Sequence, residues 1–160
     1  MKHTFIAASL LALLISAPIS ATAGDPKWLE NRDESVHQIT VYHNASCGCC
    51  KGWIDHLRDH NFEVNSVEVD DVAPYKQQYG VPKQGESCHT AVVNGKVIEG
   101  HVPAQDIKAL LASDSDIRML TVPGMPSGGP GMDWEGARED AFKVYAVSNN
   151  DKTSVYRAYQ

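Results

Sequence analysis

The sequence of 160 residues is poor in basic charge. It has 14 Lys and Arg residues against 20 Asp and Glu residues, and its formal net charge at pH 7 is −6. Proteins that bind nucleic acid present clustered cations to the phosphates, and this sequence has neither a basic stripe nor a phosphate-binding loop. We therefore expect no nucleic-acid partner. No Ser-His-Asp set is evident either.

Long hydrophobic runs are also scarce, and the one that stands out lies at the amino terminus. Residues 5–15 are apolar except for Ser9 and carry no charge, but a membrane-spanning helix needs about 20 residues. The sequence Ala21-Thr22-Ala23 follows and fits the A-x-A rule for signal-peptide cleavage. We predict that residues 1–23 are a signal peptide. The mature chain should be exported to a bacterial periplasm without a membrane anchor.

Cysteine is rare as well, which excludes a small domain held together by many disulfides. Of the four cysteines, Cys47, Cys49 and Cys50 lie within four residues, and the fourth is Cys88. Cys50 lies at the predicted start of a helix, where backbone N–H groups and the helix dipole stabilise a thiolate. A thiolate is both a nucleophile and a soft metal ligand, so these four residues, the cysteine cluster, are the main candidate site.

The order of predicted elements indicates an α/β fold. Residues 24–36 are predicted to be a loose polar segment. The patterns that follow predict a strand at 38–43, a helix from Cys50, a strand at 62–69, a helix at 73–79, a hairpin at 90–99 and a helix after Pro103. This is the thioredoxin-like order. We predict one thioredoxin-like domain over residues 37–160, with an added irregular Gly/Pro loop at 123–132 and a second β-hairpin at 142–159.

Three kinds of chemistry fit the cysteine cluster. Structural disulfides are one, but bridges within residues 47–50 close very short loops and constrain the unfolded chain little. A thiol–disulfide oxidoreductase using Cys47 and Cys50 is the second, although the other two thiols would compete in exchange. Metal binding is the third, and it uses all four sulfurs together. We favour this third interpretation, and with it a metal-binding protein over an enzyme.

The metal that the cluster indicates is copper. Soft sulfur ligands select Cu(I) or Zn(II) over hard cations, and structural zinc usually draws on two separated Cys pairs, of which one is present. Sulfurs as close as those of Cys49 and Cys50 suit bridging between several Cu(I) ions better than tetrahedral binding of one zinc ion.

Further ligands are suggested by the hairpin around Asn94-Gly95, which is similar to the hairpin of glutaredoxins. In those proteins the residue pair entering the first strand lies against the redox cysteines, and here that pair is Cys88 and His89. Because neighbours on a strand face opposite ways, both bind a metal only if the strand is irregular there. His101, at the start of the next helix, would lie on the same rim.

The remaining candidates are Met125 and Met132, whose thioethers on the Gly/Pro loop would add soft ligands for copper. His56 and His60 are four residues apart on one helical face, which is a possible metal pair. No third ligand is evident for them, however. We expect these two histidines, and His43, to be surface residues.

Four motifs in order resemble the CopG-type periplasmic proteins of bacterial copper resistance. They span residues 47–132 and are Cys47-Gly48-Cys49-Cys50-Lys51-Gly52-Trp53, Ser87-Cys88-His89-Thr90-Ala91, Ile98-Glu99-Gly100-His101-Val102-Pro103-Ala104, and Val122-Pro123-Gly124-Met125-Pro126 with Gly131-Met132. The resemblance implies a thioredoxin-like fold, copper binding through the cysteines and a role in copper handling. Another periplasmic copper protein would be the partner.

Overall fold

The computed structural model describes residues 25–160. The predicted signal peptide and its cleavage point lie outside the described residues. In chain order the elements are β1 (His37–His43), α1 (Gly48–Asp59), β2 (Phe62–Glu68), α2 (Ala73–Gln78), β3 (His89–Val93), β4 (Lys96–Glu99), α3 (Ala104–Leu111), β5 (Ile117–Thr121), β6 (Phe142–Ser148) and β7 (Thr153–Tyr159). The protein is thus a mixed α/β domain, as predicted.

One seven-stranded sheet runs through the domain in the order β2-β1-β3-β4-β5-β6-β7. Strand β1 is parallel to β2 and antiparallel to β3. The β3–β4 hairpin turns at Asn94 and Gly95, both with positive φ, and the sequence predicted it. Strand β5, which our sequence analysis did not identify, pairs with β4 on one side and β6 on the other. It therefore connects the second hairpin to the rest of the sheet.

The hydrophobic core lies between the sheet and helices α1 and α3. Apolar residues of β1, α1 and α3 form much of it: Ile39, Val41, Ile54, Leu57, Ile107 and Leu110. Val64 of β2 is partly buried and packs against them. Helix α1 ends at Asp59, and Asn61 follows with φ 63°. This left-handed residue turns the chain into β2. The two ends of α1 carry different chemistry: its first turn holds cysteines, whereas His56 lies in its last turn and His60 caps its end.

The segment before β1 is better ordered than predicted. A short 3₁₀ turn covers Pro26–Leu29 and buries Trp28. The Trp28 indole N–H donates to the carbonyl oxygen of Gly128 at 3.0 Å, and its ring packs on Phe142 and Tyr159. This contact ties the amino-terminal segment to the Gly/Pro loop. Among residues 25–160, no helix is long and apolar enough to cross a membrane.

Candidate metal centre

Helix α1 begins at Gly48, two residues earlier than predicted, because a cysteine sulfur caps it. Cys47 is the N-cap, and its Sγ accepts a hydrogen bond from the Cys50 backbone N–H at 3.3 Å. Cys49 and Cys50 therefore lie in the first helical turn. Cys47 and Cys50 form a disulfide, and Cys49 and Cys88 are free thiols.

The four sulfur atoms of the cysteine cluster converge, each lying within 4.8 Å of the others. Cys49 Sγ is 3.5 Å from Cys47 Sγ and 4.0 Å from Cys88 Sγ. Cys50 Sγ is 3.9 Å from the carbonyl oxygen of Cys88. The structure thus places Cys88 across from the helical cysteines, where the hairpin comparison predicted it.

Cys88 also lies beside two imidazole rings. Its Sγ is 3.3 Å from His89 Nδ1 and 3.2 Å from His101 Nε2. Strand alternation does not separate Cys88 from His89, because β3 begins only at His89. The three ligand atoms lie within 4.8 Å of one another, so Cys88 belongs both to the sulfur group and to a mixed sulfur–nitrogen group.

Backbone carbonyls fix the orientation of both rings. His89 Nε2 donates to the carbonyl oxygen of Gly100 at 3.0 Å, and His101 Nδ1 donates to that of Pro130 at 2.8 Å. Each ring therefore turns its unprotonated nitrogen toward Cys88, as metal-binding histidines do. Burial lowers the pKa of both imidazoles, which keeps them neutral and able to bind a metal. Every residue has a backbone carbonyl, so the sequence could not indicate which carbonyls hold these rings.

Burial also governs the free thiol of Cys88. It raises the pKa of this thiol to about 12, and the neighbouring Cys49 adds to the shift. At neutral pH the thiol is protonated, and a soft cation that binds there displaces the proton.

The Gly/Pro loop closes over the first turn of α1. A Cβ on Gly131 would lie 2.4 Å from the Trp53 backbone N and 2.7 Å from the Cys49 carbonyl oxygen, and Gly131 has φ +78°. Only glycine allows this contact. Met132 is the next residue and is half-buried, whereas the Met125 side chain is 56% exposed.

The three histidines expected at the surface are all buried, so that prediction was wrong. His43 Nδ1 donates to the carbonyl oxygen of Asn44, and its Nε2 accepts from the Ser66 hydroxyl at 2.7 Å. His56 lies in the last turn of α1 and His60 caps its end; they bond to backbone groups of α3 and of the amino-terminal segment, respectively. Polar side chains on the inner face of a helix can be buried when the backbone supplies partners.

Comparisons with known proteins identify relatives of this chain. A family model described as a protein of unknown function, DUF411, matches residues 85–132. A solved structure of copper resistance protein CopG, form 2, is 40% identical, covers 79% of this chain and 100% of its own, and has a TM-score of 0.74. Form 1 is 43% identical, covers 76% of this chain and 96% of its own, and has a TM-score of 0.72. No curated protein matches significantly.

The cysteine cluster, the two oriented imidazoles and these relatives fit copper binding together. Identity of 40% over the full length of a relative is sufficient to assign a family. The chain belongs to the CopG family of copper resistance proteins.

Proposed function

We propose that this protein is a periplasmic copper-binding protein that holds Cu(I) in its cysteine cluster and serves copper resistance. The observation that carries the proposal is that the sulfurs of three other cysteines and two imidazole nitrogens converge on the Cys88 sulfur. Thiolate and imidazole are the ligands that Cu(I) prefers. If Cys88 only filled space in the core, the lone pairs of His89 and His101 would not both point toward its sulfur.

The proposed ligands are Cys47, Cys49, Cys50 and Cys88, followed by His89 and His101. Sulfurs 3.5–4.0 Å apart are close enough for one metal ion to bind two of them. We propose that several Cu(I) ions are bound and that the thiolates bridge between them. Met125 and Met132 are proposed as accessory thioethers, because their loop packs on the first turn of α1.

Loading all four sulfurs requires a reduced protein. Reduction of the Cys47–Cys50 disulfide by a thiol reductant consumes two electrons and two protons and yields two thiols. The oxidised form offers Cys49 and Cys88 as free thiols. We infer that the oxidised protein binds fewer copper ions than the reduced protein.

We further propose that the domain is thioredoxin-like. The parallel β1–α1–β2 unit, the antiparallel β3–β4 hairpin and the sheet order β2-β1-β3-β4 support this. The cysteines lie at the start of α1, after the first strand. Strands β5–β7 then extend the sheet beyond β4.

Export is the remaining part of the proposal, and it rests on the signal-peptide pattern of residues 1–23. N-terminal sequencing of the mature protein should begin at Gly24, and a product that retains Met1 would contradict cleavage. Copper, and a second periplasmic copper protein that receives it, are the proposed partners.

The decisive experiment replaces Cys88 by Ser, which exchanges a soft thiolate for a hard hydroxyl. We expect a folded domain with an unchanged melting temperature, fewer bound Cu(I) ions and affinity lower by about tenfold. Copper analysis measures the number of bound ions and chelator competition measures the affinity, both under anaerobic, reducing conditions. Unchanged copper binding would refute the proposed site. Disulfide-reductase turnover that survives in this variant would instead support an oxidoreductase using Cys47 and Cys50.

A further inference from the structure

A buried ion pair lies on the side of the sheet that α2 covers. The Glu99 carboxylate, at the end of β4, is fully buried, and Lys76 Nζ from α2 lies 2.5 Å from its Oε1. Burying two charges costs several kcal/mol each, and apolar residues of similar volume are often as stabilising. Stability alone is therefore a poor reason for this pair.

The Glu99 carboxylate joins three segments of the chain. Besides Lys76, its Oε1 accepts the backbone N–H of Ser87 at 2.6 Å, and its Oε2 accepts the Thr90 hydroxyl at 2.6 Å. Lys76 in turn donates to the Thr90 oxygen at 3.2 Å. The carboxylate is thus the common acceptor of α2, β3 and the segment that precedes β3.

Ser87 is held from other directions as well. Its hydroxyl donates to the carbonyl oxygen of Gly124 at 2.5 Å. A Cβ on Gly100 would lie 2.5 Å from the Ser87 Cβ, and Gly100 has φ +71°. Ser87 therefore packs directly against the backbone of Gly100, whose carbonyl oxygen orients His89.

Cys88 follows Ser87, and both precede the first residue of β3. The hydrogen bond to Glu99 thus fixes the peptide next to the sulfur that joins the two ligand groups. We propose that Glu99 is a positioning residue for the copper site. Its carboxylate holds Ser87, and through it Cys88, and Lys76 balances its buried charge. This role rests on the proposed function.

Two double variants of the whole mature chain separate positioning from charge. Both carry Lys76→Met, and they differ in Glu99→Gln against Glu99→Met. Gln and Met are similar in length, and both remove the ion pair, but only the Gln carbonyl accepts a hydrogen bond from Ser87. The first measurement is the alkylation rate of Cys88 relative to Cys49 in the metal-free oxidised protein. The second is Cu(I) affinity by chelator competition in the reduced protein.

We expect the Gln variant to stay within about twofold of the parent and the Met variant to lose about tenfold or more in Cu(I) affinity, as supporting residues of metal ligands do. The Met variant should also alkylate faster at Cys88, with the Cys49 rate unchanged. If the Met variant does not fold, Glu99→Asp replaces it. This variant keeps a carboxylate beside Lys76 but shortens its reach toward Ser87, and we expect the same copper loss.

Equal alkylation rates and equal copper affinity in the Gln and Met variants would overturn the positioning role. A different result would refute the proposed function: a parent chain, with Glu99 intact, that binds no copper. The alkylation comparison contains no metal and decides the positioning role in either case.

Discussion

Two pairs of buried histidines show how the same residue serves different purposes in this domain. His89 and His101 have ring centroids 5.0 Å apart, and those of His56 and His60 are 4.7 Å apart. All four side chains are buried. In the first pair each ring donates to a carbonyl and turns its other nitrogen toward Cys88.

In the second pair the Nε2 atom of each ring bonds to a backbone group and holds the fold. His56 Nε2 accepts the backbone N–H of Ala104, the first residue of α3, whose N-cap Pro103 has no side-chain cap. His60 Nε2 donates to the carbonyl oxygen of Trp28 at 2.5 Å. The direction of the free lone pair, and not the residue type or its burial, distinguishes a candidate ligand from a structural histidine.

The largest expected effect concerns the structural pair, and it is the response of stability to acid. Burial, with a smaller contribution from His60, lowers the pKa of His56 to about 3. An unfolded histidine titrates near 6.5, so the unfolded state takes up this proton first. The contribution of His56 is complete above about pH 6.5 and is lost as pH falls toward 3, at about 1.4 kcal/mol per pH unit.

The variant His56→Gln has no titratable group at this position. Its free energy of unfolding should therefore fall less steeply than that of the parent between pH 6 and 4, and the difference in slope corresponds to about one proton taken up on unfolding. Urea unfolding of the metal-free protein across this range measures the slope. The parent chain, measured over the same pH range, is the reference. Parallel slopes for His56→Gln and the parent would show that His56 does not remain neutral in the folded state.

The second effect concerns copper. His101→Gln replaces an imidazole by a hard amide, which binds Cu(I) poorly, and we expect affinity to fall by about tenfold. His56→Gln should leave the copper bound per folded chain unchanged. Chelator competition under reducing conditions compares the two variants. Equal losses of Cu(I) affinity in His101→Gln and His56→Gln would contradict the assignment of one pair to the copper site and the other to the fold.

The smallest effect is expected at Met125. Its side chain is 56% exposed, so Met125→Leu removes a proposed thioether from a solvated position and should lower Cu(I) affinity by about twofold. The Cu(I) affinity of Met132→Leu, which changes a half-buried residue of the same loop, is the matched comparison. A tenfold loss at Met125 would extend the copper site to the exposed loop.

The local pattern of the sequence predicted most of the elements, because their signals lie within a few residues. Asn94-Gly95 indicated its hairpin, and the pattern that follows Cys50 indicated α1. Strand β5 was missed, since Ile117–Thr121 is short and stays extended through its pairing with β4 and β6. Helix α1 starts earlier than predicted because the Cys47 sulfur caps it, and sulfur is not among the usual capping groups.

For the candidate site, the sequence by itself determined which sulfurs are the proposed donors: four cysteines, three of them within four residues, with a chemistry suited to a soft metal. Only the tertiary structure decided which histidines turn a lone pair toward Cys88. That choice depends on the carbonyls of Gly100 and Pro130, which are both distant from Cys88 in the sequence. It also depends on the buried Glu99, whose partners come from α2, β3 and the segment before it. Contacts between distant segments fix ring orientation and peptide position, and no short sequence pattern records them.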